Sequence, residues 1–147
     1  MDNFKVLFVC VHNSARSQMA EAFLNIIGHG DCEAESAGLE AGILNPYVVE
    51  VMRELKIDIS KNKTKNVFDF FRQGKFYNYV ITVCDESSAE KCPIFPGVTK
   101  IIHWNFEDPS AFTGTYEEIL DKTRIVRDQI MAKIQVWVEE LRLKHSN

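Results

Sequence analysis

The chain lacks what a membrane protein, a nucleic-acid binder or a structural metal site needs. No apolar run approaches the roughly 20 residues that span a bilayer. No secretory leader precedes the first strand-like stretch, so a cytoplasmic location is expected. Basic residues are outnumbered, 17 Lys and Arg against 21 Asp and Glu, and the net charge of -4 argues against non-specific nucleic-acid binding. Cysteine is scarce: Cys10, Cys32, Cys84 and Cys92 are all there is. In a reducing compartment such thiols serve catalysis, redox chemistry or the core more often than structural disulfides. Cys84 and Cys92 are too far apart for half of a zinc knuckle and no paired His follows, so no metal is expected. Internal repeats, low-complexity tracts and linkers are missing too. The 147 residues, 46% of them hydrophobic, therefore read as one domain, 1–147, with a real core and no need of a second copy.

What is present begins with Cys10-Val11-His12-Asn13-Ser14-Ala15-Arg16-Ser17. The apolar run Lys5 to Val9 leads in and a helical pattern from Gln18 to Ile27 leads out, so the order is buried strand, tight loop, helix. Such a loop turns backbone N–H groups and a helix N-terminus towards one point, which suits an oxyanion held by residues Val11, His12, Asn13, Ser14, Ala15 and Arg16. Arg16 adds a planar fork of donors, and Ser17 can donate to the sulfur of Cys10. Asn13 tolerates a left-handed backbone. The bland alternative is a buried strand-end cysteine and a surface arginine. A Cys with an Arg six residues on is common by chance, but not with the strand, the helix, Asn13 and Ser17 in place.

Further along, residues 4–11, 32–37, 79–83 and 100–104 read as strands. Helices are expected from Ser17 to Ile27, from Pro46 to Leu55 behind an Asn45 cap, over Val67 to Phe71, and from about Thr115, where Thr115 and Glu118 form a capping box. In the last helix Ile119, Val126, Ile130, Ile134, Trp137 and Leu141 share one face, the core side. Strands alternating with helices predict an α/β, flavodoxin-like three-layer sandwich on a four-stranded parallel sheet of order 2-1-3-4. Ligands of such sheets bind beyond the carboxyl ends of the strands, where Cys10 and Cys84 both fall. Cys32 lies at the other end and reads as structural. Lys61, Lys63 and Lys65 make one loop basic, either a solvated face or a weak attraction for anions. His12 reads as a loop-shaping residue, His103 as a strand-end residue, and His29 and His145 as surface residues.

Cys84 and Cys92 bracket a polar, helix-compatible insert. Were it helical throughout, the two would stand roughly 12 Å apart along the axis, whereas a disulfide needs Cα atoms within about 7 Å. Pairing would then require the segment to unwind or loop out. Two unrelated cysteines are the alternative, and without the opening motif the better one.

The opening loop resembles the phosphate loop of low-molecular-weight protein tyrosine phosphatases and of thioredoxin-coupled arsenate reductases. Asn13 to Glu21, Cys92-Pro93-Ile94-Phe95-Pro96, His103 to Pro109, Ser36-Ala37-Gly38 and Ile57 to Ser60 are all similar to the reductases, so the resemblance covers nearly the whole chain. It implies a three-cysteine reduction of arsenate to arsenite. Cys10 is the nucleophile, Arg16 and Ser17 assist, Asp108 is the general acid, and Cys84 and Cys92 carry the oxidation outward to thioredoxin. No tightly bound cofactor is implied. Some members hold potassium through residues matching Asn13, Glu21, Ser36 and an Asp, which is Asn66 here and weakens the case for a cation. Other departures are an insert about one residue longer between the two cysteines and Ala15 where some relatives carry Cys. The alternative is a phosphatase acting on phosphate monoesters, disfavoured by Ser110 where an aromatic residue would line an aryl-phosphate pocket. A module that binds oxyanions or senses redox state without turnover is a third reading.

Overall fold

The computed structural model describes residues 3–84, 86–98 and 100–145; Asp85, inside the cysteine insert, lies outside them. The elements run β1 (Phe4–Cys10), α1 (Arg16–Ile27), β2 (Cys32–Gly38), α2 (Pro46–Arg53), α3 (Val67–Arg72), β3 (Tyr79–Thr82), α4 (Glu86–Ala89), β4 (Lys100–His103), a 3-10 turn (Pro109–Ala111) and α5 (Tyr116–His145). All strand pairs are parallel and the order is β2-β1-β3-β4, as the alternation of strands and helices predicts.

The pleat of β1 divides the interior. Val6, Phe8 and Cys10 join α1, α2 and α5 in one apolar cluster. Leu7 and Val9 face the other way and pack with Val67 and Phe70 of α3, Tyr77 and Phe95. An unbroken apolar run is what a strand covered on both faces requires. The stripe on α5 lies inward as expected, with Ile130 and Ile134 fully buried; Val138, not among the residues expected there, is buried beside the half-buried Trp137. The capping box is formed: the Thr115 amide donates to Glu118 Oε1 and the Glu118 amide to Thr115 Oγ1, both at 3.2 Å. Asn45 accepts from the amides of Tyr47 and Val48 and starts α2. That helix stops at Arg53, short of the expected Leu55, which is 37% exposed. The strands end a residue earlier than expected at Cys10, Thr82 and His103.

Registers place the chemistry. Cys10 pairs with Gly38, and Val9 with Thr82, so the ends of β1, β2 and β3 lie side by side. Gly38 sits under the loop after β1: a Cβ there would stand 2.7 Å from Asn13 N, His12 C and Glu40 O, all backbone atoms. Cys32 pairs with Phe4 at the opposite end, away from the site, as its sequence position implied.

Gly38→Ala should therefore destabilise the fold by about 1–3 kcal/mol, the usual range for overpacking. Urea denaturation reads the stability. Phosphate affinity should fall further than that loss explains, because the atoms that must give way belong to the loop.

Candidate active site

The loop after β1 turns its carbonyls outward. Leu39 N donates to Cys10 O at 3.1 Å, Glu40 N to Val11 O at 3.0 Å and Gly42 N to His12 O at 2.9 Å. Gln18 Nε2 donates to Asn13 O at 3.1 Å, Asn45 N to Ser14 O at 2.9 Å and Met19 N to Ala15 O at 3.1 Å. In a trans peptide the N–H of the next residue points opposite to the carbonyl. The amides of residues 11 to 16 are therefore aimed inward, at a common centre next to Cys10. Asn13 takes the positive φ, 56°, that closes the curve. The N-cap residue of α1, Ala15, offers no side-chain acceptor, so the positive end of the helix faces the same centre.

Cys10 is buried, with its Sγ 2.8 Å from Ser17 Oγ and accepting the Asn13 amide at 3.1 Å. Asn13 Nδ2 donates to Ser17 Oγ at 2.8 Å, which leaves the serine hydroxyl proton free to point at the sulfur. The buried Gln18 ties Asn13 down, donating to its Oδ1 at 3.0 Å and to Lys63 O at 3.0 Å, while Asn62 Nδ2 reaches Gln18 Oε1 at 3.2 Å. Sequence reading passed over Gln18 and Asn62. The available signal was a polar residue on the buried face of α1, between Ser17 and Met19.

Arg16 is 8% exposed. Its Nη1 donates to Phe106 O at 3.1 Å and its Nη2 lies 3.6 Å from Asp108 Oδ2. Its Nε is buried and, among the described residues, has no hydrogen-bond partner. A buried guanidinium N–H left open is costly unless something anionic takes it. Asp108 divides its oxygens: Oδ1 caps the 3-10 turn through the Ser110 amide at 3.0 Å and Oδ2 faces Arg16. The structure thus brings Cys10, Arg16, Ser17 and Asp108 to one centre. Ser14 and Ala15 are buried in the loop and Val11 is half-buried. His12 is exposed and paired with Glu40 at 3.2 Å. At the far end of the sheet, burial pushes the Cys32 thiol up to about 11. His103 Nδ1 lies 2.7 Å from Thr82 Oγ1. His145 is exposed, as expected, and its ring leans on Phe4 at 49° with centroids 4.8 Å apart.

The second thiol pair lies just past β3. Val83 N donates to Val9 O at 2.8 Å, carrying the β1–β3 pairing one residue beyond the strand, and the buried Cys84 follows. The insert does not run as one helix. After the short α4, Lys91 N returns to Ser88 O and Cys92 N to Ala89 O, each at 3.1 Å. Both are bonds to the third residue back, so the segment passes from helix into tighter turns before Cys92. Burial, and secondarily Cys84, push the Cys92 thiol up to about 12. A cavity of about 440 Å³, lined by Cys92, Pro93, Phe95, Val80, Ile101 and His103, opens beside it.

The residues matching a potassium site do not fit that ion. Asn66 turns its side-chain oxygen to the Phe68 amide at 2.8 Å to start α3. The Lys65 ammonium instead sits on Glu21 Oε1 at 3.2 Å and Ser36 Oγ at 3.4 Å. Lys65, expected as part of a solvated or anion-attracting loop, points inward. Among the described residues no group of three His, Cys, Asp or Glu side chains is placed to hold a metal ion.

Because the folded state keeps Cys92 protonated well above its ordinary value of 9.0, its stabilising effect is complete below that value and lost as pH rises towards 12. Urea midpoints should fall over that range. At pH 8, iodoacetamide should label Cys92 at least about a hundredfold more slowly in the native protein than in the unfolded chain, in proportion to its smaller thiolate fraction; peptide mass spectrometry reads the rates.

Residues 5–147 match the family model described as low molecular weight phosphotyrosine protein phosphatase. An arsenate reductase of Shouchella clausii is 40% identical over 135 residues, covering 91% of this chain and 94% of that protein. A structure described as an arsenate reductase in the phosphate binding state superposes with a TM-score of 0.75 at 30% identity, covering 93% of this chain and 98% of that one. A thioredoxin-dependent arsenate reductase of Corynebacterium glutamicum superposes with a TM-score of 0.60 at 30% identity, over 92% of this chain and 63% of that one. The chain belongs to the low molecular weight phosphotyrosine protein phosphatase family and stands within it among the arsenate reductases.

Proposed function

We propose that this chain reduces arsenate to arsenite in the cytoplasm, as a single monomeric domain, and that thioredoxin regenerates it. The observation that carries the reading is a second thiol at the strand end beside the oxyanion loop and a third close to the second: Cys84 follows the strand next to that of Cys10, and Cys92, on the turn behind α4, packs on the other face of the sheet within reach of the charge of Cys84. Hydrolysis of a phosphate ester needs neither.

The proposed steps are these. Arsenate takes the inward amides of residues 11 to 16 and the open Nε of Arg16. The Cys10 thiolate, steadied by the Ser17 hydroxyl and the Asn13 amide, attacks arsenic and forms an S–As bond. An arsenic oxygen leaves as water, its proton supplied by Asp108 beside Arg16. The Cys84 thiolate then attacks Cys10 Sγ. The S–As bond breaks, its electron pair stays on arsenic, arsenic(V) becomes arsenic(III), and arsenite departs from a Cys10–Cys84 disulfide. Cys92 attacks Cys84, releasing Cys10 as thiolate and leaving Cys84–Cys92. Two thiols of reduced thioredoxin then exchange with that disulfide. Thioredoxin reaches the pair from the side of the cavity that Cys92 lines. No tightly bound cofactor takes part.

Arsenate-dependent NADPH oxidation with thioredoxin and thioredoxin reductase tests the reading. Wild type should turn over continuously. Cys92→Ser should give a single turnover of arsenite per enzyme and stop, trapped as Cys10–Cys84. Arg16→Lys should lower kcat/KM by about 10²-fold or more, since a point charge cannot replace the fork. Absence of arsenate turnover together with phosphate ester hydrolysis that Cys92→Ser leaves intact would make the chain a phosphatase.

A further inference from the structure

Lys65 braces the side chain that shapes the oxyanion loop, directly at the Asn13 oxygen and through Ser36 at its nitrogen. Its backbone amide donates to Asn13 Oδ1 at 2.9 Å. Its ammonium donates to Glu21 Oε1 at 3.2 Å and Ser36 Oγ at 3.4 Å. Ser36 Oγ in turn donates to Glu21 Oε1 at 2.8 Å and accepts from Asn13 Nδ2 at 3.0 Å. With one proton given and two received, the Ser36 hydroxyl is saturated. Asn13 Nδ2 also reaches Ser17 Oγ, and Ser17 reaches Cys10 Sγ. An unbroken hydrogen-bonded path thus runs from the ammonium to the nucleophile.

The charges explain why a cation belongs there. The Glu21 side chain is only 18% exposed and that of Lys65 28%. A half-buried carboxylate behind the loop repels both a thiolate and a bound oxyanion, and water screens it poorly. Lys65 cancels it at a fixed point. The neighbouring Asn66 does not complete an oxygen cage for a free ion: its side chain starts α3.

We propose that Lys65 is a positioning residue that serves as a built-in cation for the oxyanion loop, replacing a bound monovalent metal ion. It acts through Glu21, Ser36 and Asn13 and touches neither substrate nor sulfur. The proposal rests on the Cys10 loop being the oxyanion site, not on arsenic reduction, so its test uses inorganic phosphate and no turnover.

Phosphate affinity is read from protection of Cys10 against iodoacetamide, in KCl and in choline chloride of equal ionic strength. Wild type should bind phosphate equally in both. Lys65→Met should bind about tenfold more weakly, the scale of one lost charge-assisted hydrogen bond, while Lys65→Arg should stay near wild type. Adding Glu21→Gln to Lys65→Met should recover most of the loss, because the stranded carboxylate is then gone; a merely structural lysine predicts no such recovery. A wild type that needs potassium overturns the proposal and requires no variant to fold. Unchanged affinity in Lys65→Met, or a double variant no better than the single one, overturns it as well. If phosphate fails to protect Cys10 in the wild type under any salt, the oxyanion reading of the loop fails instead.

Discussion

The structure depends on a set of peptide planes held outward. Six carbonyls, from Cys10 to Ala15, are each taken by a donor behind the loop, four of them by backbone amides of residues 39, 40, 42 and 45. Those donors come from the segment after β2, which the parallel pairing of β1 with β2 brings alongside. The sheet therefore does more than display a cysteine at its edge. It fixes the direction of every amide in the loop, so that the field acting on a tetrahedral anion is in place before the anion arrives. Gly38 permits this because only a residue without Cβ lets the backbone of His12 and Asn13 cross so closely.

The rest of the machine is arranged by what it must be allowed to do. Asn13, Gln18 and Ser17 are buried and interlocked, which suits a centre that should not move. The segment carrying Cys92 is built differently: one short helical turn, two return hydrogen bonds and a thiol kept protonated by burial. A thiol in that state is a poor nucleophile. Cys92 is half-buried against the cluster of Leu7, Val9 and Phe95. Loop and turn meet at Cys84, beyond β3 and beside the end of β1.

Much of this was legible in the sequence, for local reasons. The run from Lys5 to Val9 declares a doubly covered strand, the alternation of strands and helices a parallel sheet, and Thr115 with Glu118 the start of α5. The Cys10 loop carries its chemistry in eight consecutive residues. What escaped was set by distant partners. Nothing in the run Lys61, Lys63, Lys65 says that the last one turns inward. That is decided by Glu21 on α1 and Ser36 on β2, 44 and 29 residues away. The turn at Cys92 escaped because a polar stretch is compatible with a helix of any length, and its stop after Ala89 carries no glycine to mark it. The role of Gln18 could not be read because its partners, Asn13 O and Lys63 O, are backbone atoms that sequence does not display.

The most direct test of the preformed loop is an amide-resolved NMR titration with inorganic phosphate. If the amides are aimed before binding, the resonances of residues 11 to 16 should shift in a saturable way. Those of Leu39, Glu40, Gly42 and Asn45 should hardly move, since their bonds to the loop carbonyls persist. Large shifts or lost exchange protection at those four positions would mean that the loop assembles only around the anion, and would contradict the account.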